Sequence, residues 1–222
     1  KEIMKNILKI LALGVMLITF TSTANAEMRF GASLAYTQID ADGTETEGGE
    51  KNNGSADNNV IIPSLFVEFG NDKFALGLDY IPMKADVSDS TKKRTDTETS
   101  VTGTATTTST SRVQSVNAEL KDHITIYANM HLNEKLYLKA GYAQVSLETS
   151  DSLATGSKYG NVDINAGVFG LGVTDGNSRL EVVYTDYEDI SLTSSVARTG
   201  VSTNNKISAD LDTLALKYSY AF

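Results

Sequence analysis

From Glu27 to Phe222 no run of apolar residues keeps a helical period; side-chain character alternates with a period of two instead. Alternation of that kind means extended strands with two chemically different faces. About eight such segments can be read, near Met28–Asp40, Asn59–Gly70, Lys73–Ala85, Val116–Leu132, Lys135–Thr149, Val162–Thr174, Ser178–Ser191 and Lys206–Phe222. The connections alternate in length as well. Three are tight, at Asn71-Asp72, at Asn133-Glu134 and from Asp175 to Asn177, where Asn, Asp and Gly suit the positive φ of hairpin turns. Four are long and polar: Ala41 to Asn58, Asp86 to Ser115, Ser150 to Asn161, and Leu192 to Asn205. The second of these is so rich in Thr and Ser that its composition predicts a mobile or loosely strand-like segment.

Strict short-long alternation collects the tight turns at one end of a sheet and the long loops at the other. An even strand number brings both chain ends to the tight-turn side. A soluble meander has no reason to segregate its loops; a transmembrane β-barrel does.

The two faces differ as a barrel in lipid requires. A two-residue turn at Asn71-Asp72 predicts Phe69 opposite Phe74, Val67 opposite Leu76 and Leu65 opposite Leu78, an apolar face. The reverse face carries Ser64, Glu68, Lys73 and Asp79 among Phe66, Ala75 and Gly77, mixing charge with large and small residues as a narrow lumen should. A turn from Asn133 to Lys135 sets Ile124, Ile126, Ala128, Met130 and Leu132 against Leu136, Leu138, Ala140 and Tyr142, with His123, Thr125, Tyr127, Asn129 and Lys139 behind. Phe169, Leu171 and Val173 are expected outward. Tyr and Phe gather at the tight-turn ends of the apolar face, as an interfacial girdle would. The competing fold is an exported soluble β-protein with the charged face outward. Charges of both signs among Gly and Ala, and the lack of cysteine, count against it.

The first residues run "KEIMKNILKILALGVMLITFTSTANAEM". Lys5 and Lys9 form a positive start, Ile10 to Phe20 is apolar but shorter than the ~20 residues of a spanning helix, and "ANA" at Ala24–Ala26 fits a small-residue cleavage site. Residues 1–26 are therefore expected to be a cleavable signal peptide, with Met4 the true start and residues 27–222 the mature domain. The formal charge of −9 becomes about −11 without it. So acidic a chain is a poor nucleic-acid binder.

The final "LKYSYAF" resembles the carboxy-terminal signal of Gram-negative outer-membrane proteins, with Tyr218, Tyr220 and Phe222 as the alternating aromatics. Taken together, the leader, the loop alternation and the last strand resemble the small eight-stranded barrels of the OmpA/OmpX-like superfamily. No loop motif assigns a subfamily, and the chain is expected to end with the barrel, without the periplasmic domain of OmpA-type proteins. The resemblance implies an all-β, eight-stranded antiparallel up-and-down transmembrane barrel in the outer membrane of a Gram-negative bacterium. It also implies a monomer surrounded by lipid and lipopolysaccharide, inserted by the barrel assembly machinery, with loops open to a surface ligand, another cell or phage.

An eight-stranded barrel is just wide enough for side chains to fill it. The inward charges are expected to include Arg29, Glu68, Asp79, Lys139, Glu181 and Lys217, with Lys73 and Lys121 beside them. Mixed signs at similar depth imply an ion-pair network and a plugged lumen. Glu181 and Lys217 should share one layer, with Glu68 and Lys139 completing a ring of alternating sign. The functional expectation is a structural or surface-interaction role; the alternative is a narrow passive channel. No catalytic residues, cofactor or metal site are expected: His123 and Thr125 only superficially resemble the His and Ser of barrel deacylases, and acidic loop stretches lack EF-hand spacing.

Overall fold

The computed structural model describes residues 26–47, 49–102, 106–153, 158–196 and 203–222. The expected signal peptide lies outside them, save for its last residue. Among the described residues there are eleven strands and no helix: β1 (Glu27–Glu47), β2 (Glu50–Gly70), β3 (Phe74–Ile81), β4 (Ala85–Asp86), β5 (Lys92–Thr102), β6 (Thr106–His131), β7 (Leu136–Ser152), β8 (Val162–Asp175), β9 (Ser178–Tyr187), β10 (Ile190–Thr193) and β11 (Lys206–Ala221). Eight of them close into an antiparallel ring in the order β1-β2-β3-β6-β7-β8-β9-β11, and β11 pairs back onto β1 from Gly31↔Ala221 to Thr46↔Lys206. Closure removes the free edges that lipid cannot satisfy. The short strands β4 and β5 run along the upper part of β6, and β10 along the upper part of β11.

Several sequence expectations need correction. The stretch from Ala41 to Asn58 is mostly ladder: β1 and β2 stay paired up to Glu47↔Glu50, turning at Gly49 with φ 94°. The Thr/Ser stretch takes the strand-like of its two expected forms, as a strand pair with Lys92↔Val116 at one end and Thr102↔Thr106 at the other. β-Branched Thr fits a pleated surface whatever its polarity. In the hairpin at Asn71 the register is two residues from the expected one, with Phe69 opposite Leu76 and Gly70 opposite Ala75. The Asn71 side chain widens the turn by accepting from the Lys73 and Phe74 amides (2.9 and 3.0 Å). A slip of two keeps every side chain on its face, so the in-out pattern survives. It also leaves Lys73 in the turn rather than the lumen. In β6 a bulge between Lys121 and Ile124, with Asp122 at φ 53°, changes the parity. Lys121 consequently points outward and pairs with Glu148 instead of joining the lumen.

Outside, a belt of exposed apolar side chains circles the ring. Phe30, Phe74, Tyr218, Tyr220 and Phe222 mark its lower margin at the tight turns; Tyr36, Tyr80, Tyr142 and Tyr184 mark the upper. Phe169, Leu171 and Val173 lie on this belt, at 58, 50 and 48% exposure. Above the upper aromatics the faces exchange character. On β11, Leu214 to Tyr220 present apolar groups outward at even positions, whereas above them Asp212 and Asp210 face out and Leu211, Ala209 and Ile207 face in. β7 does the same: Leu138 and Tyr142 are exposed below, while Val145 and Leu147 are buried above. The barrel is therefore polar inside where it meets lipid and apolar inside where it rises beyond it.

Candidate functional site

Within the belt the lumen is filled. Glu68, Asp79, Lys139 and Glu181 project inward with exposures of 2, 6, 7 and 2%. Arg179 Nη1 donates to Glu68 Oε1 (2.6 Å), which also accepts from Tyr127 Oη (2.8 Å) and Asn129 Nδ2 (2.9 Å). Lys139 Nζ lies 2.5 Å from Glu181 Oε1 and 4.3 Å from the Tyr127 ring centroid. Lys217 pairs with Asp79, whose Oδ2 also accepts from Ser64 Oγ (3.0 Å). Three cations thus meet three carboxylates, and the cluster is neutral. Taking charges out of water is costly unless each is paired and its other lone pairs are used; at Glu68 a hydroxyl and an amide, and at Asp79 a hydroxyl, supply the extra bonds.

The partners differ from the expected ring. Glu181 and Lys217 are register neighbours, yet Lys217 crosses to Asp79 and Glu181 takes Lys139. Arg29 stays out of the network: it sits at the lower rim and bonds Glu27 (3.1 Å) with its side chain 37% exposed. Its place is taken by Arg179, on the inward face of β9. Parity alone could have found Arg179, since it alternates with the outward Leu180. The aromatics of the plug fit because glycine faces them. Tyr127 lies across Gly77 and Tyr137 across Gly172, and a Cβ at either glycine would collide with the ring.

Above the plug the lining turns apolar. Ile39, Leu120, Val145, Ile164 and Leu211 form a buried cluster, each no more than 6% exposed. Over it opens a vestibule of about 520 Å³, walled by Ala41, Val116, Leu147, Ile190, Leu192 and Leu211 among others. Polar groups hold its upper wall: Tyr159 Oη donates to Glu45 Oε1 (2.6 Å), and Asn205 Nδ2 donates to the same oxygen (3.2 Å). Burial and that carboxylate push the Tyr159 phenol well above the ordinary range. It therefore remains a hydrogen-bond donor at every physiological pH. His123 and Thr125 face the lumen, with His123 Nε2 3.3 Å from Tyr187 Oη. Among the described residues no group of three His, Cys, Asp or Glu is placed to hold a metal.

In fold, the chain is similar to solved structures. The outer-membrane protein AlkL, determined in lipid bilayers, superposes with a TM-score of 0.53 at 12% identity, over 91% of this chain and 93% of that one. The chain has the fold of a small outer-membrane-type β-barrel. Ail, the attachment invasion locus protein of Yersinia pestis, aligns at 16% identity over 86% of this chain and 99% of its own, with a TM-score of 0.36. Neisserial surface protein A aligns at 11% identity over 90 and 100%, with a TM-score of 0.41. No protein-family description matches the barrel's sequence, and no curated protein does. At these identities the likeness speaks for the fold alone.

Proposed function

We propose that this barrel stands in the outer membrane of a Gram-negative bacterium and captures small apolar molecules at the cell surface. The vestibule is the binding site, and the lumen beneath it is a closed support rather than a pore. One observation carries this reading: the interior exchanges character at the membrane margin, setting an apolar chamber of about 520 Å³ above a neutral, hydrogen-bonded plug. A barrel serving only as scaffold has no use for an apolar interior above the bilayer, where water is the alternative occupant. Most small-molecule sites are concave and largely apolar with a few fixed polar groups, and Glu45, held from behind by Tyr159, and Asn205 supply such groups at the rim. No catalytic role is proposed. Lipid and lipopolysaccharide surround the belt, the barrel assembly machinery reads Tyr218, Tyr220 and Phe222, and the barrel acts as a monomer.

The test is saturable binding of 1-aminoanthracene by the full-length protein in nanodiscs, with displacement by decane. Leu147→Glu sets a charge in the chamber wall and should weaken binding at least tenfold, equivalent to ~1.4 kcal/mol. Uptake no greater than that of empty nanodiscs, or unaffected by Leu147→Glu, would refute the vestibule reading. A steady conductance in planar bilayers would refute the closed lumen.

A further inference from the structure

One seam of the ring is unzipped part-way up. β2 and β3 are paired from Gly70↔Ala75 to Leu65↔Tyr80 and no further, while β2 continues upward against β1. β4, which carries on from β3, pairs with β6. The two edges are tied again higher up, where Asn58 Nδ2 donates to the Asp86 carbonyl (2.8 Å) and the Asp89 amide donates to the Asp57 carbonyl (3.3 Å). Between these ties the unpaired edges run from Ser64 to Asn59 and from Ile81 to Ala85.

Two residues account for the gap. The chain has two prolines, Pro63 and Pro82, and extending the β2–β3 register by two steps beyond Leu65↔Tyr80 sets them opposite each other. Proline has no N–H and is tolerated in a strand only where its neighbour does not need one. Pro63 keeps its place in the ladder with β1, opposite Leu34, so the donor it lacks is the one β3 would have used. Pro82 removes the reciprocal donor.

Behind the gap lies a cavity of about 100 Å³ whose wall includes both unpaired edges: Ile62 and Ser64 from one, Ile81, Met83 and Ala85 from the other. Met83 is 53% exposed, so a single side chain belongs to the cavity and to the outer surface. Deeper in, Val168 and Val183 continue an apolar wall down to the Lys217–Asp79 pair and His123. No residue lines both this cavity and the vestibule. Val145 and Ile164, in neither lining and only 1 and 2% exposed, pack in the buried cluster that divides them. Outside, the gap opens beside Ile61, the register partner of Tyr36, and above Tyr80, at the upper margin of the apolar belt.

We propose that the seam between Pro63 and Pro82 is the mouth of a side pocket that admits an aliphatic chain of a bilayer amphiphile from the outer leaflet, methyl end first. The mouth faces hydrocarbon: Ile62, Ile81, Met83 and Ala85 form the inner lips, and Lys84 on the outer lip is held by Glu119 and Glu148. Inside, Ile39, Leu120, Val168 and Val183 make an apolar wall interrupted by the threonines Thr37, Thr125, Thr185 and Thr213. Lys217 and Asp79 satisfy each other at the floor, leaving no free charge to draw in a headgroup. The floor also sets how far a chain can enter. The site stands apart from the vestibule and does not depend on apolar capture there.

The experiment uses methyl-labelled full-length protein in deuterated nanodiscs containing a protonated monoacyl lipid. Nuclear Overhauser cross-peaks should join the lipid chain to the inward methyls of Val168 and Val183, as well as to the outward methyl of Ile61. Ile62→Cys with Met83→Cys, in a chain free of other cysteines, should seal the mouth on oxidation. The inward cross-peaks should vanish, those of Ile61 should persist, and reduction should restore the first set. Ala35→Phe, which fills the cavity from β1 opposite Ile62 and leaves both prolines in place, should also remove them. Inward cross-peaks that survive both the disulfide and Ala35→Phe, or inward methyls that contact only water, would overturn the proposal. Loss of 1-aminoanthracene binding alone would refute the vestibule and leave this pocket standing.

Discussion

Asp40 of β1 and Asp212 of β11 stand directly opposite each other, and the row continues through Asp57 on one side and Asp186 on the other. These four carboxylates face outward immediately above the apolar belt, and among the described residues no lysine or arginine bridges them. Like charges opposite each other across a ladder repel. Partial burial, followed by the charges of Asp40 and Asp186, holds the Asp212 carboxyl above the ordinary carboxylate range.

Asp212→Asn should therefore stabilise the barrel at neutral pH. The sign follows from proton linkage: a carboxyl that binds its proton more tightly folded than unfolded stabilises the fold while protonated. That contribution disappears as pH rises from ~4, the unfolded value, through the raised folded value. Urea midpoints of the detergent-folded protein should fall across that window in the wild type and change less in Asp212→Asn. A variant whose midpoint falls as steeply as the wild type's would show that the row is relieved some other way.

The lumen pairs should behave as coupled units. Lys139→Met leaves Glu181 buried and unpaired, an expected loss of ~3–5 kcal/mol, and adding Glu181→Leu should recover much of it. The same holds for Lys217→Met and Asp79→Leu. Unfolding midpoints that merely add in either double mutant would show that the partners seen here do not carry the energy.

Deleting Phe222 should reduce outer-membrane insertion. Its amide donates to the Phe30 carbonyl (2.7 Å) and its ring meets Tyr220 edge-on at 5.3 Å, so it both closes the β1–β11 seam and completes the terminal aromatic pattern. Replacing it with Leu keeps the backbone bond. Membrane fractionation should show Phe222→Leu inserted better than the deletion but below wild type; equal insertion for all three would discard the signal role.

Topology can be checked with single cysteines, since the chain has none of its own. A membrane-impermeant maleimide on intact cells should reach Thr95→Cys in the strand pair above the belt. Gly176→Cys and Asn133→Cys, in the tight turns, should react only after the outer membrane is opened. The opposite pattern would invert the barrel.

Much of the architecture is a local property of the chain, and so could be read from it. Alternation with a period of two, Asn and Gly turns between Phe69 and Phe74 or Thr174 and Ser178, and long polar connections on the other side determine an even-stranded barrel and which face meets lipid. A register slip of two residues at Asn71 could not disturb that, because strand faces repeat every two. The same period held a further message that the long-loop reading obscured. In "ISADLDTLALKYSY" the apolar residues sit at odd positions up to Leu211 and at even positions from Leu214, so the exchange of faces, and with it the vestibule, is already written along β11. What only the tertiary structure decided is where the long side chains go. Glu181 faces Lys217 in register yet bonds Lys139, and Lys217 crosses the lumen to Asp79, because a buried charge settles on whichever partner best satisfies it across the ring. Pro63 and Pro82 lie nineteen residues apart in sequence. Only the closing of β2 against β3 makes them one gap, since a missing hydrogen-bond donor matters only once a neighbouring strand would have used it.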